Sequence, residues 1–158
     1  MCIRDSLGIE LLSTDAVHSE ENIFLRRFTI NNLREEKREV KLFLGQQFRI
    51  FESRRGDTGF FDPRVRAIVH YKGDVTFLVN ASHDYQQFTE YNIGLFGIEG
   101  KEGTYQDAVD GKLEGNSIEH GSVDSIIGLT CSLEPKASGI VDYWITVAPD
   151  LTCLLYTF

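Results

Sequence analysis

Six carboxylates crowd one glycine-punctuated stretch: Glu99, Glu102, Asp107, Asp110, Glu114 and Glu119. The chemistry such crowding could serve is glycoside hydrolysis. That reaction needs one carboxylic acid to protonate the leaving oxygen and a second carboxylate on the opposite face of the sugar. Acids set between glycines serve more commonly as caps, turn residues and solubilising charges, and that is the favoured reading here. A calcium loop of the EF-hand type places its acids at alternate positions before its glycine, whereas Asp107 and Asp110 stand three apart before Gly111. Asp57-Thr58-Gly59 spells the aspartic-protease triplet. That chemistry takes two carboxylates sharing a proton, and the chain holds no second copy of the triplet. His18 has no His or Cys at a metal-ligand spacing, and no Gly-x-Ser-x-Gly nucleophile motif accompanies His70. No Rossmann or P-loop glycine pattern is present. No catalytic residue, metal ligand or cofactor is assigned.

The elements that would position these acids are strands. Residues 99–121 hold no apolar run able to form a core and read as a long shaped loop. Thr104 and Asp107 have the Thr-x-x-acid spacing of a helix start and Gly111 suits a helix end, which predicts one helical turn over residues 105–110. From Val123 the period is two. Val123, Ser125, Ile127, Leu129, Cys131 and Leu133 share one face, and Asp124, Ile126, Gly128, Thr130 and Ser132 the other, which predicts a strand with one buried face. Residues 138–148 alternate likewise, with Val141, Tyr143, Ile145 and Val147 on one side. Further strands are expected at residues 7–14, 23–30, 39–51 and 84–93, with a hairpin of 66–71 and 75–81 around Lys72-Gly73-Asp74. Residues 15–22 and the charged reversal 31–38 read as loops, and 51–63 as an irregular crossing. Short strands separated by turn residues, with almost no helical periodicity, predict an all-β antiparallel sandwich. A long ordered loop delivered onto a core strand points to function, because ordering that much backbone opposes folding.

Several segments together resemble a known family. EGTYQDAVDGKLEGN followed by GSVDSIIGL is similar to the N-terminal β-sandwich domain of bacterial and archaeal family 15 glycoside hydrolases, which are glucoamylase-, glucodextranase- and trehalase-like enzymes. DAVHSEENIFLRRFTINN, REVKLFLGQQFRI, GDTGFFDPRVRAIVHYKG and DYWITVA follow the same family in order. The chain departs from it at Tyr105, where the family more often has Trp, and at the Arg54-Arg55 doublet. The resemblance implies an incomplete sandwich of the super-sandwich type, non-catalytic in itself, from an enzyme hydrolysing α-glucosidic bonds. The family's catalytic glutamates lie in an (α/α)6 barrel that follows the sandwich, so none is carried over. That barrel is the implied partner, with α-glucan or trehalose at the interface. Gly103, Thr104, Tyr105, Asp107, Asp110 and Asn116 are then the residues of the loop that face the barrel or rim its active site. The alternative is a free-standing sugar-binding or adhesion sandwich using Trp144, or Tyr85, Phe88 and Tyr91, as an aromatic platform.

The net charge of -8 argues against nucleic acid or an anionic membrane surface as partner, and no apolar run approaches a membrane span. The two ends have a separate reading. Residues 1–6 translate one strand of a transposase adapter used in sequencing libraries, and Cys153 to Thr157 translate its reverse complement. Residues 1–6 and 153–158 are therefore expected to be loosely placed scars flanking a partial sandwich domain over 7–152. Without Cys2 and Cys153, Cys131 is left alone on an inward face, as a small buried hydrophobe.

Overall fold

The computed structural model describes residues 2–4, 7–53 and 55–157, with side chains for 7–53 and 55–154. Alternating β-branched and aromatic residues build its strands. These are β1 (Cys2–Arg4), β2 (Ile9–Val17), β3 (Ile23–Asn32), β4 (Arg38–Gln47), β5 (Asp57–Asp62) and β6 (Ala67–Lys72). They continue with β7 (Val75–His83), β8 (Gln86–Gln87), β9 (Glu90–Leu95), β10 (Ile118–Gly121), β11 (Val123–Leu133) and β12 (Ser138–Ala148). A 3-10 turn spans Thr104–Asp110, a shorter one Ile50–Glu52, and helix α1 takes Leu151–Thr157.

The strands form two antiparallel sheets. The larger has nine strands in the order β1-β2-β3-β12-β7-β6-β5-β10 with β8 on β7, and the smaller has three, β4-β11-β9. The expected all-β sandwich is therefore the architecture. Its core lies between the sheets. Ile127, Leu129, Cys131 and Leu133 of β11 meet Phe28 and Ile30 of β3, Val79 and Ala81 of β7, and Val141 and Tyr143 of β12. Each such aliphatic side chain contributes about 1.5–3 kcal/mol by leaving water. Cys131 is a free, fully buried thiol, and burial pushes its pKa up to about 11.

Four departures from the sequence reading have physical causes. Strand β2 runs on to Val17 through a stretch read as loop, because β3 offers it a complete ladder from Ile9↔Asn32 to Val17↔Phe24. Strand β5 occupies part of the stretch read as irregular. Its glycine is there for close approach: a Cβ on Gly59 would stand 2.8 Å from Val123 Cγ1. Strand β11 is buried on both faces from Val123 to Leu129, so the expectation of one buried face holds only for its second half. The fourth departure concerns the ends, expected to be loosely placed: β1 pairs with the outer edge of β2, and Leu154 of α1 packs against Ala67 and Leu78. An open strand edge and an apolar sheet face accept whatever chain lies next to them. Residues 1, 5, 6 and 158 lie outside the described residues.

Candidate functional site

The second burial of β11 leads to the site. The segment after β9 folds back over the outer face of the small sheet, and polar side chains from all three of its strands hold the segment there. It begins with a tight turn in which Lys101 N–H donates to Ile98 O (2.8 Å) and Gly97 N–H to Lys101 O (2.8 Å). At Gly103 (φ +127°) a Cβ would lie 2.9 Å from both Asp124 Oδ2 and Phe96 Cδ2, so only glycine fits without movement. The 3-10 turn follows and ends at Gly111, whose left-handed backbone donates to Ala108 O.

The expected helical turn is present, but the Thr104–Asp107 pair does not cap it. The Thr104 backbone N–H and its hydroxyl both donate to Asp124 Oδ2, at 2.8 and 3.0 Å. Asp107 instead accepts from Asn92 Nδ2 and from the Glu114 backbone N–H, each at 2.8 Å. Asn116 donates through Nδ2 to Ile93 O (2.6 Å), while its backbone N–H donates to Asn92 Oδ1 (3.1 Å). From β4, Lys41 Nζ reaches Glu90 Oε1 at 2.6 Å and the Gly111 carbonyl at 2.7 Å. The loop's order is thus supplied by this chain itself.

The six residues expected at an interface fall into two groups. Gly103, Thr104, Asp107 and Asn116 engage or abut the sheet beneath, and Thr104 is only 6% exposed. Tyr105 (53% exposed) and Asp110 face out, with Val109 (79%) between them. Tyr105 OH donates to Glu102 Oε2 at 3.3 Å, where Gln106 Nε2 also donates at 2.6 Å. Asp110 Oδ1 accepts the Lys112 backbone N–H at 2.9 Å. Between this roof and the edge of β9 runs an open groove of about 750 Å³, floored by Ile93 and Gly94 and walled by Glu102, Asp107, Asp110 and Glu114. Three of the four wall acids, Glu102, Asp107 and Asp110, accept hydrogen bonds from within the loop or from the sheet beneath it. Asp124, the carboxyl that burial raises above the usual range against the lowering effect of its Thr104 hydrogen bonds, lies under the roof. Among the described residues, no cluster of His, Cys, Asp and Glu could hold a metal ion.

Sequence reasoning missed the residues that do the holding: Lys41, Glu90, Asn92 and Asp124. Asp124 was visible as the one charged residue in the strand 123–133. A second polar cluster lies deeper. His70 Nε2 is 2.8 Å from Ser125 Oγ, which donates to Gln46 Oε1 at 3.0 Å. Ser125 is fully buried and His70 1% exposed, and burial drops the His70 pKa to about 4. With no substrate access, this is a seam joining β6, β11 and β4. The aromatics of residues 84–93 do not form a platform: Tyr85 is fully exposed, Phe88 is buried, and Tyr91 stacks on Phe61 at 4.3 Å. Trp144 is half-buried on the outer face of the large sheet.

Neither a family model nor a curated protein matches this sequence. In three dimensions the chain is similar to a bacterial glucoamylase, solved as a crystal structure in complex with acarbose, with a TM-score of 0.70 at 9% sequence identity. The match covers 95% of this chain and 21% of that one, so this chain spans about a fifth of its length. Its fold is that of a glucoamylase-like sandwich.

Proposed function

We propose that this chain is the non-catalytic N-terminal sandwich domain of a family 15 glycoside hydrolase acting on α-glucosidic bonds, and that its roof loop seats an (α/α)6 catalytic barrel. The observation that carries this reading is the fold likeness, which runs over nearly the whole chain and takes up a small part of a bacterial glucoamylase. The roof loop supports it. Its backbone is tied down by Asp124, Asn92 and Lys41, yet it presents Tyr105 and Val109 to solvent. A rigid element displaying a single aromatic is the usual form of an interface anchor. Tyr105 is the anchor in this reading, Asp110 a rim residue, and Gly103, Thr104, Asp107 and Asn116 the residues that fix the anchor's height above the sheet. In this reading an α-glucan or trehalose lies at the interface between the domain and the barrel.

The test is turnover by the purified chain on maltose, starch, dextran and trehalose. No glucose release is expected. Release that survives purification and is lost in Glu102→Gln or Asp107→Asn would transfer the chemistry to the groove.

A further inference from the structure

The carboxyl beneath the roof is built asymmetrically. Asp124 is 6% exposed. Its Oδ2 takes both hydrogen bonds from Thr104, at 2.8 Å from the backbone N–H and 3.0 Å from the hydroxyl. Its Oδ1 is sealed from solvent and has no hydrogen-bond partner. Gly94 of β9 and Gln47 of β4 flank Asp124 in the ladders, and neither carries charge. The titratable groups on the surrounding elements are Glu102, Asp107, Asp110 and Glu114 of the roof, Glu90 of β9, Glu119 of β10 and Lys41 of β4, with Lys101 and Lys112 on either side of the 3-10 turn. Lys41 is committed to Glu90 and the Gly111 carbonyl, and Asp124 makes no ion pair among the described residues. Ionised, Asp124 is therefore a buried charge among neighbours mostly of its own sign, which opposes closure of the roof. Protonated on Oδ1, it keeps Oδ2 as a carbonyl oxygen and loses neither bond from Thr104. Burial raises its pKa accordingly, against those bonds and its own backbone N–H.

We propose that Asp124 is a proton-operated latch on the roof. Protonated, it holds residues 103–106 against the small sheet; ionised, it loosens them. Gly103, at φ +127°, is the hinge. Beyond it the turn stays fastened by Asn92 on Asp107 and by Lys41 on Gly111. Opening returns the carboxyl to water and to its ordinary value of 3.8, whereas the closed roof keeps the proton to higher pH. Closure is thus strongest below 3.8, weakens as pH rises through the closed-state value, and is level above it. Tyr105 rides on this segment, so the seat firms in acid and slackens towards neutrality. That consequence rests on the docking reading; the latch itself does not.

The test is amide exchange of the intact chain between about pH 4 and pH 7, corrected for the intrinsic rate at each pH. The Thr104 amide should lose protection as pH rises, by up to about ten-fold per pH unit over the linked range. Amides of β3 should gain protection over the same range, as the core with its neutral His70 gains stability. Asp124→Asn keeps an acceptor for Thr104 and should make that protection flat with pH. A carbon-13 titration of the Asp124 carboxyl in the unmutated chain is a second reading, with a midpoint above 3.8 expected. The proposal is overturned if Thr104 protection holds or rises with pH, if Asp124→Asn keeps the wild-type slope, or if the carboxyl titrates at or below 3.8. With the latch intact, a Tyr105→Ala change that leaves a barrel's docking untouched would overturn the docking reading alone.

Discussion

Two surfaces flank the small sheet, and the chain treats them oppositely. The outer face of β11 and β9 is roofed by 103–116, and the anchors are polar: Asp124, Asn92, Glu90 and Lys41. A hollow on the inner side of the large sheet is left open, and Phe24, Phe48, Phe77, Ile145 and Val147 give it apolar walls. A loop carries backbone groups that need partners once water is excluded, so a surface built to receive a loop must offer carboxylates, amides and ammonium groups. A face turned toward another sheet needs only apolar side chains, since each strand's backbone is already paired within its own ladder. The side-chain chemistry thus separates a face that carries a loop from one that faces a sheet.

Both surfaces depend on the seam that locks the sheets together, and the largest expected effect lies there. His70 is neutral in the fold, with a pKa of about 4 against an ordinary 6.5. The unfolded chain therefore binds this proton at higher pH than the folded one. Its contribution is fully present above pH 6.5 and is lost as pH falls from 6.5 towards 4, by up to about 3 kcal/mol. Urea unfolding at neutral pH and near pH 4 reads this directly, and His70→Phe should flatten the profile. Asp124 has the opposite sign. Its folded pKa is raised, so its contribution is present below 3.8 and is lost as pH rises through the folded value. Asp124→Asn should remove that counter-slope. A wild-type profile with no acid loss would mean that His70 is not sealed in the seam.

The next effect separates the roof from the hollow. Asp124→Ala leaves the Thr104 N–H and hydroxyl without an acceptor, and should destabilise the fold by about 2 kcal/mol. Hydrogen exchange should quicken across 103–116 and stay unchanged in β2 and β3. Asp124→Asn, which keeps an acceptor oxygen, should lose much less. Gly103→Ala comes next, at about 1 kcal/mol or more, because its positive φ and its 2.9 Å approach to Asp124 Oδ2 both oppose a Cβ. Faster exchange in β2 upon either change would mean that the two surfaces are not independent.

The strands of the core were readable because their alternation is strict: the inward set of β11 and the Val141–Tyr143 pair lie where the period of two puts them. Two kinds of feature were hidden. Strands β5 and β10 carry glycine, aspartate and histidine where a strand usually shows apolar residues, since their partners are a neighbouring ladder and a close crossing at Gly59. The anchors of the roof were hidden because each is distant in sequence from what it holds: Lys41 is 70 residues from Gly111, and Asp124 is 20 from Thr104. Periodicity reports which face a residue takes and nothing of what later covers that face. The Thr104–Asp107 spacing located the turn correctly but pointed to the wrong hydrogen bonds, because a buried carboxylate beneath the loop competes better for Thr104 than a helix cap does.

The smallest expected effect is the most informative about the roof's purpose. Tyr105 is half-exposed, and its hydroxyl meets only Glu102 and Gln106 on the same loop. Truncating it removes no core contact and orphans no buried group. In this chain Tyr105→Ala should therefore change unfolding free energy by no more than ~0.5 kcal/mol, and leave exchange over 103–116 unaltered. On the proposed reading, the same change in a longer polypeptide that carries an (α/α)6 barrel should loosen docking of that barrel or lower turnover while the sandwich melts as before. The contrast between the two contexts is the measurement, since truncating an interface aromatic costs binding energy only when its partner is present. Equal destabilisation in both would make Tyr105 a prop of the roof itself. The anchor would then have to be sought at Val109, which stands further out on the same turn.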